Sequence, residues 1–331
     1  MSDLPTIQQD DPALSPSETA NERGAHAEKS PPLFTVAVGQ RLGEYEILSE
    51  IARGGMGIVY RARQTTLDRI VALKMILAGK LANKDDIKRF QTEANAAARL
   101  QHPNIVAIFD VGDLDGHHFF TMEYIEGFSL DQKLAQGPLP SRAAARYVRI
   151  LARAVHYAHS QGVLHRDLKP SNVLIDANDE PHITDFGLAK RLGSVDAGQT
   201  RTGAVLGTPS YMSPEQAQGK VDQLGPAADI YSLGAILYEL LTGRPVFRAE
   251  TPFDTVMQVI QNDPAPPRLL NPHIDHDLET ICLKCLEKDP TLRYTSAEAL
   301  GNDLQRYLEG ESIEARSFNM LDRLARVLER D

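Results

Sequence analysis

The chain has 331 residues, 42% of them hydrophobic, which is enough apolar side chain for one large domain or two small ones. Its formal net charge of −10 gives no electrostatic reason to expect nucleic acid or an anionic membrane as a partner. Two cysteines cannot form a disulfide framework and indicate a reducing compartment.

The N-terminal segment lacks the charge and apolar pattern of a secretory signal. The longest apolar run, residues 230–241, is too short to cross a bilayer. We therefore expect a cytoplasmic chain without a transmembrane segment. Residues 1–40 are rich in Ser, Pro, Asp, Glu and Gln and show no apolar periodicity, which predicts a disordered tail.

Strand patterns dominate the next part of the chain. β-branched and aromatic residues between turn-forming residues predict antiparallel strands over Tyr45–Ile51, Ile58–Ala62 and Ile70–Met75. Residues Lys84–Leu100 have helical spacing of apolar side chains, and two more strands are predicted over Ile105–Val111 and His118–Met122.

Helices are predicted from Ser141 onward, with Ser141 as the N-cap of a helix that runs to Ser160. A strand-rich part followed by a helix-rich part predicts an α+β fold with a cleft between two lobes.

The segment 52–60 (ARGGMGIVY) is a glycine-rich turn in which backbone N–H groups can approach phosphates closely. A tight hairpin without function explains the segment equally well. Lys74 ends an apolar strand and can hold phosphate oxygens if a carboxylate fixes it, and Glu93 on the next helix is the candidate. Taken singly, a solvated lysine and an exposed helix glutamate are the simpler interpretations.

The segment 165–174 (HRDLKPSNVL) sets a carboxylate, a cation and an amide within a few residues. Thirteen residues after Asn172, the sequence TDFG supplies a second acid, Asp185. Together with the glycine-rich loop, VALK and the helix glutamate, these motifs occur in the order of the protein-kinase signature set. The chain resembles the eukaryotic-like serine/threonine protein kinases of bacteria over about residues 44–308, in GGMGIVY and GTPSYMSPEQA above all.

The resemblance implies a bilobal fold with a small antiparallel sheet lobe and a large helical lobe, and ATP in the cleft. It implies a catalytic group in which Asp167 accepts the substrate hydroxyl proton, Lys169 lies near the γ-phosphate, and Lys74 pairs with Glu93. Asn172 and Asp185 would hold magnesium, with manganese as the alternative ion. The implied nucleotide-binding residues are Ile51, Gly54, Gly55, Gly57, Val59, Ala72, Lys74, Met122, Glu123, Ile125, Ser129 and Leu174.

The implied domain spans 41–308, with a small lobe at 44–122, a hinge at 123–128 and a large lobe at 129–308. An amphipathic helical tail is predicted at 309–331, and it would dock on the large lobe or on a partner. Binding to a membrane surface is the alternative, which the acidic residues of the tail disfavour. Within the large lobe, Glu215 would pair with Arg293, and Asp229 would cap the catalytic loop. An internal spine of Ala97, Ile108, His165 and Phe186 would connect the lobes.

Regulation is implied by Arg166, which precedes Asp167. Phosphate on Thr200 or Thr202 could pair with Arg166 and Lys190 and order the activation loop, through autophosphorylation in a transient dimer. An ordinary polar loop is the alternative. Thr208 is implied to lie on the substrate-binding loop.

Two departures from the family pattern are Ala52, which replaces the first glycine of the loop, and Tyr231, which replaces a tryptophan and should still pack. Histidines 273 and 276 precede Cys282 and Cys285 and suggest zinc, but LETICLKCLEK favours a helix with two core cysteines. His156 and His159, one helical turn apart, are interpreted as packing or surface residues.

The sequence therefore predicts a serine/threonine protein kinase acting on protein hydroxyls. An ATP-binding pseudokinase scaffold is the alternative, and the retained Lys74, Glu93, Asp167, Asn172 and Asp185 disfavour it. A small-molecule kinase is disfavoured by GTPSYMSPEQ, which resembles a loop for protein substrates.

Overall fold

The computed structural model describes residues 36–54, 57–76, 84–114, 117–186, 209–220 and 224–315. The first part of this chain forms a six-stranded antiparallel sheet in the order β1-β2-β3-β4-β6-β5. Its strands are β1 (Arg41–Leu42), β2 (Tyr45–Gly54), β3 (Gly57–Gln64), β4 (Arg69–Ile76), β5 (Ile108–Leu114) and β6 (His117–Glu123).

Alternation along β4 divides the apolar side chains between the two faces of the sheet. Val71, Leu73 and Met75 join one cluster with residues of β2 and β3. Ala72 and Ile76 face the other way and pack with Phe120 and Met122 of β6. Helix α1 (Lys84–Ala97) covers this second face, so the sheet is buried on the side that adjoins the helical lobe.

The predicted strand over Ile105–Val111 begins three residues later in the structure, at Ile108. Residues 104–106 pair instead with strand β9 (Pro181–Ile183) of a second sheet. The Ile183 N–H donates to the Asn104 carbonyl at 2.9 Å, and the Val106 N–H donates to the Ile183 carbonyl at 2.9 Å. The chain after α1 is thereby tied to the strand that leads into Asp185.

The helical lobe contains helices and a small sheet in the order β7-β8-β9. Helix α5 is mostly apolar and buried along most of its length, as expected of a helix at the centre of a lobe. The elements are β7 (Gly127–Ser129), α2 (Leu130–Leu134), α3 (Ser141–Ser160), β8 (Val173–Asp176), α4 (Pro214–Ala217), α5 (Pro226–Thr242), α6 (Pro252–Gln261), α7 (Pro267–Leu270), α8 (His276–Cys285) and α9 (Ala297–Glu309).

Helix α3 packs on α5 and α9 and ends at Ser160 as predicted, but it begins at Ser141 and its N-cap is Pro140. The expectation that Ser141 caps this helix is wrong, because Ser141 already has helical backbone and Pro140 is extended. Helix α8 confirms the expectation for LETICLKCLEK, since both cysteines are fully buried in the core of the lobe.

No helix within the described ranges is long and apolar enough to cross a membrane. The α+β, bilobal fold class is confirmed. Gly55, Lys190, Thr200, Thr202, Thr208 and residues 316–331 of the predicted tail lie outside the described residues.

Candidate active site

Asp167 lies on the loop between α3 and β8, and its neighbours fix its carboxylate. Lys169 Nζ is 2.7 Å from Asp167 Oδ2. The Asn172 side-chain amide donates to the Asp167 carbonyl at 2.9 Å. The structure thus brings together the three polar side chains that the sequence set on one loop.

Asp229 of α5 binds the backbone of this loop through both of its carboxylate oxygens. Its Oδ2 accepts from the His165 N–H at 2.9 Å, and its Oδ1 accepts from the Arg166 N–H at 2.8 Å. The predicted cap is confirmed. Burial raises the pKa of Asp229, but the hydrogen bond and charge of His159 and the contacts with His165 lower it by more, so the carboxylate stays ionised.

His159 makes a contact that the sequence did not indicate. Its side chain is almost fully buried, which agrees with the packing interpretation, and its Nε2 also lies 2.8 Å from Asp229 Oδ2. The only signal in the sequence was the presence of a titratable residue near the end of an amphipathic helix.

The predicted spine is assembled beside this loop. His165 is fully buried, its ring lies 4.7 Å from that of Phe186, and its Nε2 is 3.0 Å from the Thr184 carbonyl. Ala97 and Ile108 belong to the same apolar cluster as Phe186. The spine thus connects α1 and β5 to the strand that precedes Asp185.

Lys74 and Asp185 form an ion pair across the cleft. Lys74 Nζ lies 2.6 Å from Asp185 Oδ1, and the lysine side chain is 10% exposed. Asp185 has a φ of +63°, a left-handed backbone that non-glycine residues adopt at a cost of about 1–3 kcal/mol. Glu93, the expected partner of Lys74, lies instead 3.6 Å from Arg166 Nη1.

Five of the residues implied for adenine binding share one apolar cluster between the lobes. These are Val59, Ala72, Met122, Ile125 and Leu174. The Thr184 hydroxyl reaches Met122 Sδ at 3.6 Å. Ser129 of β7 pairs in register with Leu174 of β8, beside this cluster, whereas Ile51 on β2 is 48% exposed.

The glycine-rich turn joins β2 to β3, with Gly54 opposite Gly57. A Cβ on Gly57 would lie 2.0 Å from the Met75 carbonyl oxygen, so only glycine fits there. A Cβ on Gly54 would meet nothing within 4 Å. The two glycines therefore differ. Gly57 permits the close approach of β3 to β4, whereas the space beside Gly54 is free of protein atoms.

The expected brace between Glu215 and Arg293 is confirmed. Two nearly parallel contacts join the groups, at 2.8 and 2.9 Å. The same guanidinium lies 5.0 Å from the centre of the Tyr231 ring, so the tyrosine packs as expected. Burial raises the pKa of Glu215, but its hydrogen bonds and the charge of Arg293 lower it by more.

The sequence profile of the protein kinase domain matches residues 45–304. The serine/threonine-protein kinase PrkC of Bacillus subtilis is 38% identical over 86% of this chain and 43% of its own length. PknB of Mycobacterium tuberculosis, also named a serine/threonine-protein kinase, is 37% identical over 82% of this chain and 44% of its own. The chain thus spans less than half the length of these curated relatives.

Among solved structures, the PknI kinase domain of Mycobacterium tuberculosis superimposes with a TM-score of 0.67 at 26% identity. The match covers 82% of this chain and 99% of that domain. Fold, motif order and family profile agree, and the chain belongs to the protein kinase domain family, whose members use ATP and a divalent metal ion.

Proposed function

We propose that this chain is a serine/threonine protein kinase that transfers the γ-phosphate of ATP to serine or threonine hydroxyls of proteins. The observation that carries the proposal is the contact set Lys74–Asp185 and Lys169–Asp167–Asn172, which gathers two cations, two carboxylates and an amide at one cleft. Phosphoryl transfer needs positioned charge of this kind because its transition state is loose and highly charged.

The apolar cluster between the lobes would hold the adenine. In this proposal the ring lies between Val59 and Ala72 on one side and Leu174 on the other, with Met122 behind it. The Glu123 carbonyl and the Ile125 N–H would read the adenine edge. Ile51 would close the pocket and Ser129 would meet the ribose, while Gly54, Gly55 and Gly57 would cover the phosphates.

Asp185 and Asn172 offer the oxygen ligands that Mg²⁺ and Mn²⁺ prefer, which fits the proposed metal site. The metal, when bound, would neutralise charge on the phosphates. Lys74 is paired with Asp185 in the structure. With nucleotide bound, Lys74 would instead pair with Glu93 and orient the α- and β-phosphates. Asp167 would accept the hydroxyl proton, and Lys169 would stabilise the γ-phosphate.

Regulation by autophosphorylation at Thr200 or Thr202, within a transient dimer, is part of the proposal. The charge of Arg166 supports it, since a phosphate group would compete with Glu93 for that guanidinium. Thr208 is proposed to contact the substrate side of the catalytic loop. The proposed domain bounds are 41–308, with tails on either side.

The test is transfer of labelled phosphate from Mg-ATP to the chain itself and to a generic protein substrate. Asp167→Asn and Lys74→Met should each lower kcat by about 10²- to 10⁴-fold while the melting temperature stays near that of the wild type. Asp277→Asn, which removes an exposed carboxylate on α8, is the matched control and should keep full activity. A wild type that binds ATP but transfers no phosphate would favour the pseudokinase scaffold instead.

A further inference from the structure

A cavity of about 330 Å³ lies in the helical lobe, beside the segment that follows α1. Three arginines of α3, Arg146, Arg149 and Arg153, line it. Their spacing of three and four residues puts them on one face of the helix. Of the other lining residues, His102, Asn104 and Glu180 carry polar side chains. None of the residues proposed for phosphotransfer lines this cavity.

The positive charge of the cavity is only partly compensated. Arg146 is paired: its Nη1 lies 2.9 Å from Glu180 Oε1, and Asp179 contacts the same guanidinium. Arg149 has a neutral partner, since its Nη1 donates to Gln305 Oε1 at 2.8 Å. Arg153 is exposed and forms no ion pair with any residue that the structure describes.

Arg149 also has an unused donor inside the protein. Within the described part of the chain, its Nε is buried and has no hydrogen-bond partner. A buried donor without a partner costs free energy, and so do like charges one turn apart on a helix. Burial lowers the pKa of Arg149, and the charges of Arg153 and Arg146 lower it further, while Glu180 and Glu309 raise it by less. A bound anion would offset the repulsion between the Arg149 and Arg153 guanidinium groups.

His102 adds a neutral donor to the lining. Its Nδ1 accepts from the Asn104 N–H at 3.0 Å, so the proton of the neutral ring is on Nε2. Burial lowers the pKa of His102, so the ring is neutral at physiological pH. The net positive charge therefore comes from Arg149 and Arg153.

We propose that this cavity binds a phosphate monoester through the guanidinium groups of Arg149 and Arg153. Guanidinium forks match phosphate oxygens in pairs, and neither Arg149 nor Arg153 forms an ion pair within the described residues, so a dianion can pair with both where a single carboxylate would pair with one. A volume of about 330 Å³ accommodates a phosphorylated side chain or a small free organophosphate. The inference does not depend on the proposed kinase activity.

Calorimetric titration of the full chain tests the site, with the nucleotide cleft first saturated with a non-hydrolysable Mg-ATP analogue. The probes are inorganic phosphate, a phosphoserine peptide and the same peptide without phosphate. We expect Arg149→Gln and Arg153→Gln each to weaken binding of the phosphorylated probes by about tenfold or more, as for the loss of a charged hydrogen bond. Arg142→Gln changes an exposed arginine of α3 that bonds to the Leu308 carbonyl, outside the cavity, and should leave affinity unchanged.

Arg153 is exposed, so its replacement tests binding even where Arg149→Gln perturbs the fold, and thermal melting of each variant checks this. Phosphopeptide binding tighter than that of inorganic phosphate would assign a phosphorylated side chain, and equal binding would assign a free phosphorylated compound. The proposal is overturned if inorganic phosphate and the phosphoserine peptide both fail to bind the wild type, or if they bind the Arg149→Gln and Arg153→Gln variants as tightly as the wild type.

Discussion

Glu93 of α1 and Arg166 of the catalytic loop face one another with 3.6 Å between Oε1 and Nη1. Arg166 adopts a φ of +64° at this position, so the loop holds a strained backbone next to Asp167. Because Glu93 belongs to the sheet lobe and Arg166 to the helical lobe, this pair joins the lobes. In this pair, Glu93 contacts the guanidinium group that is proposed to bind a phosphate on Thr200 or Thr202.

Replacement of Arg166 should uncouple activity from phosphorylation. In the wild type, a phosphate would compete for the guanidinium and release Glu93, so the phosphorylated form should be about tenfold or more faster than the dephosphorylated form. In Arg166→Gln this ratio should approach one. Steady-state rates before and after phosphatase treatment measure it, and Arg63→Gln, which changes an exposed arginine of β3 paired with Glu46, is the control. A ratio that stays high in Arg166→Gln would contradict the proposed switch.

The two glycines of the turn should respond differently to alanine. Gly57→Ala would push a Cβ against the Met75 carbonyl oxygen and force β3 away from β4, at a cost of about 1–3 kcal/mol. Gly54→Ala meets open space and should change the free energy of unfolding by less than about 0.5 kcal/mol. Urea denaturation of the two variants gives the comparison. Equal losses would mean that the close approach of Gly57 to β4 does not limit stability.

The buried pair Glu215–Arg293 should contribute strongly to stability at neutral pH. Arg293→Met leaves a buried carboxylate without its partner and should cost about 3–5 kcal/mol. Arg63→Met, in an exposed pair, should cost less than about 1 kcal/mol. Urea denaturation at pH 7 measures both.

The same pair predicts a pH dependence. The pKa of Glu215 is lowered in the folded chain, so its stabilising contribution is complete above the ordinary value of 4.5 and is lost as the pH falls below it. The difference in unfolding free energy between the wild type and Arg293→Met should therefore shrink as the pH falls through about 4.5. A difference that is constant down to pH 3 would contradict an ionised Glu215.

Asp229→Asn should damage catalysis more than a comparable change elsewhere. The His165 and Arg166 N–H groups donate to different oxygens of Asp229, and asparagine replaces one of these oxygens with an NH2 donor, so one buried N–H loses its partner at a cost of about 1–3 kcal/mol. Displacement of the loop should lower kcat. Asp303→Asn is the matched control, because Asp303 is also buried and accepts from Tyr294 and Ala315 far along the chain from the loop. The kcat of both variants is measured below their melting temperatures. An equal decrease in kcat for the two variants would contradict a specific role of Asp229 in positioning the loop.

The lobes, most strands and the loop residues followed from the sequence because each depends on local pattern or motif. Which acid pairs with Lys74 did not follow: Glu93 and Asp185 are both eligible carboxylates, and their distances depend on how α1 and β9 pack. The start of β5 was misplaced for a similar reason, since Ile105 pairs with Ile183, a residue distant in sequence. The arginines of α3 have the charge pattern of a solvated helix face, and only packing against residues 102–104 makes them line a cavity.

The hydrogen bonds from His165 and Arg166 to Asp229 attach the loop of Asp167 to α5, a helix buried along most of its length. Asp185 and Arg166, by contrast, are linked through ion pairs to Lys74 and Glu93 of the sheet lobe. A separation of the lobes would break these two ion pairs, whereas the hydrogen bonds to Asp229 lie within the helical lobe and would stay. Asp167, the proposed proton acceptor, would therefore keep its position relative to α5, whereas Lys74 and the glycine-rich turn, proposed to contact the phosphates, would move with the sheet lobe.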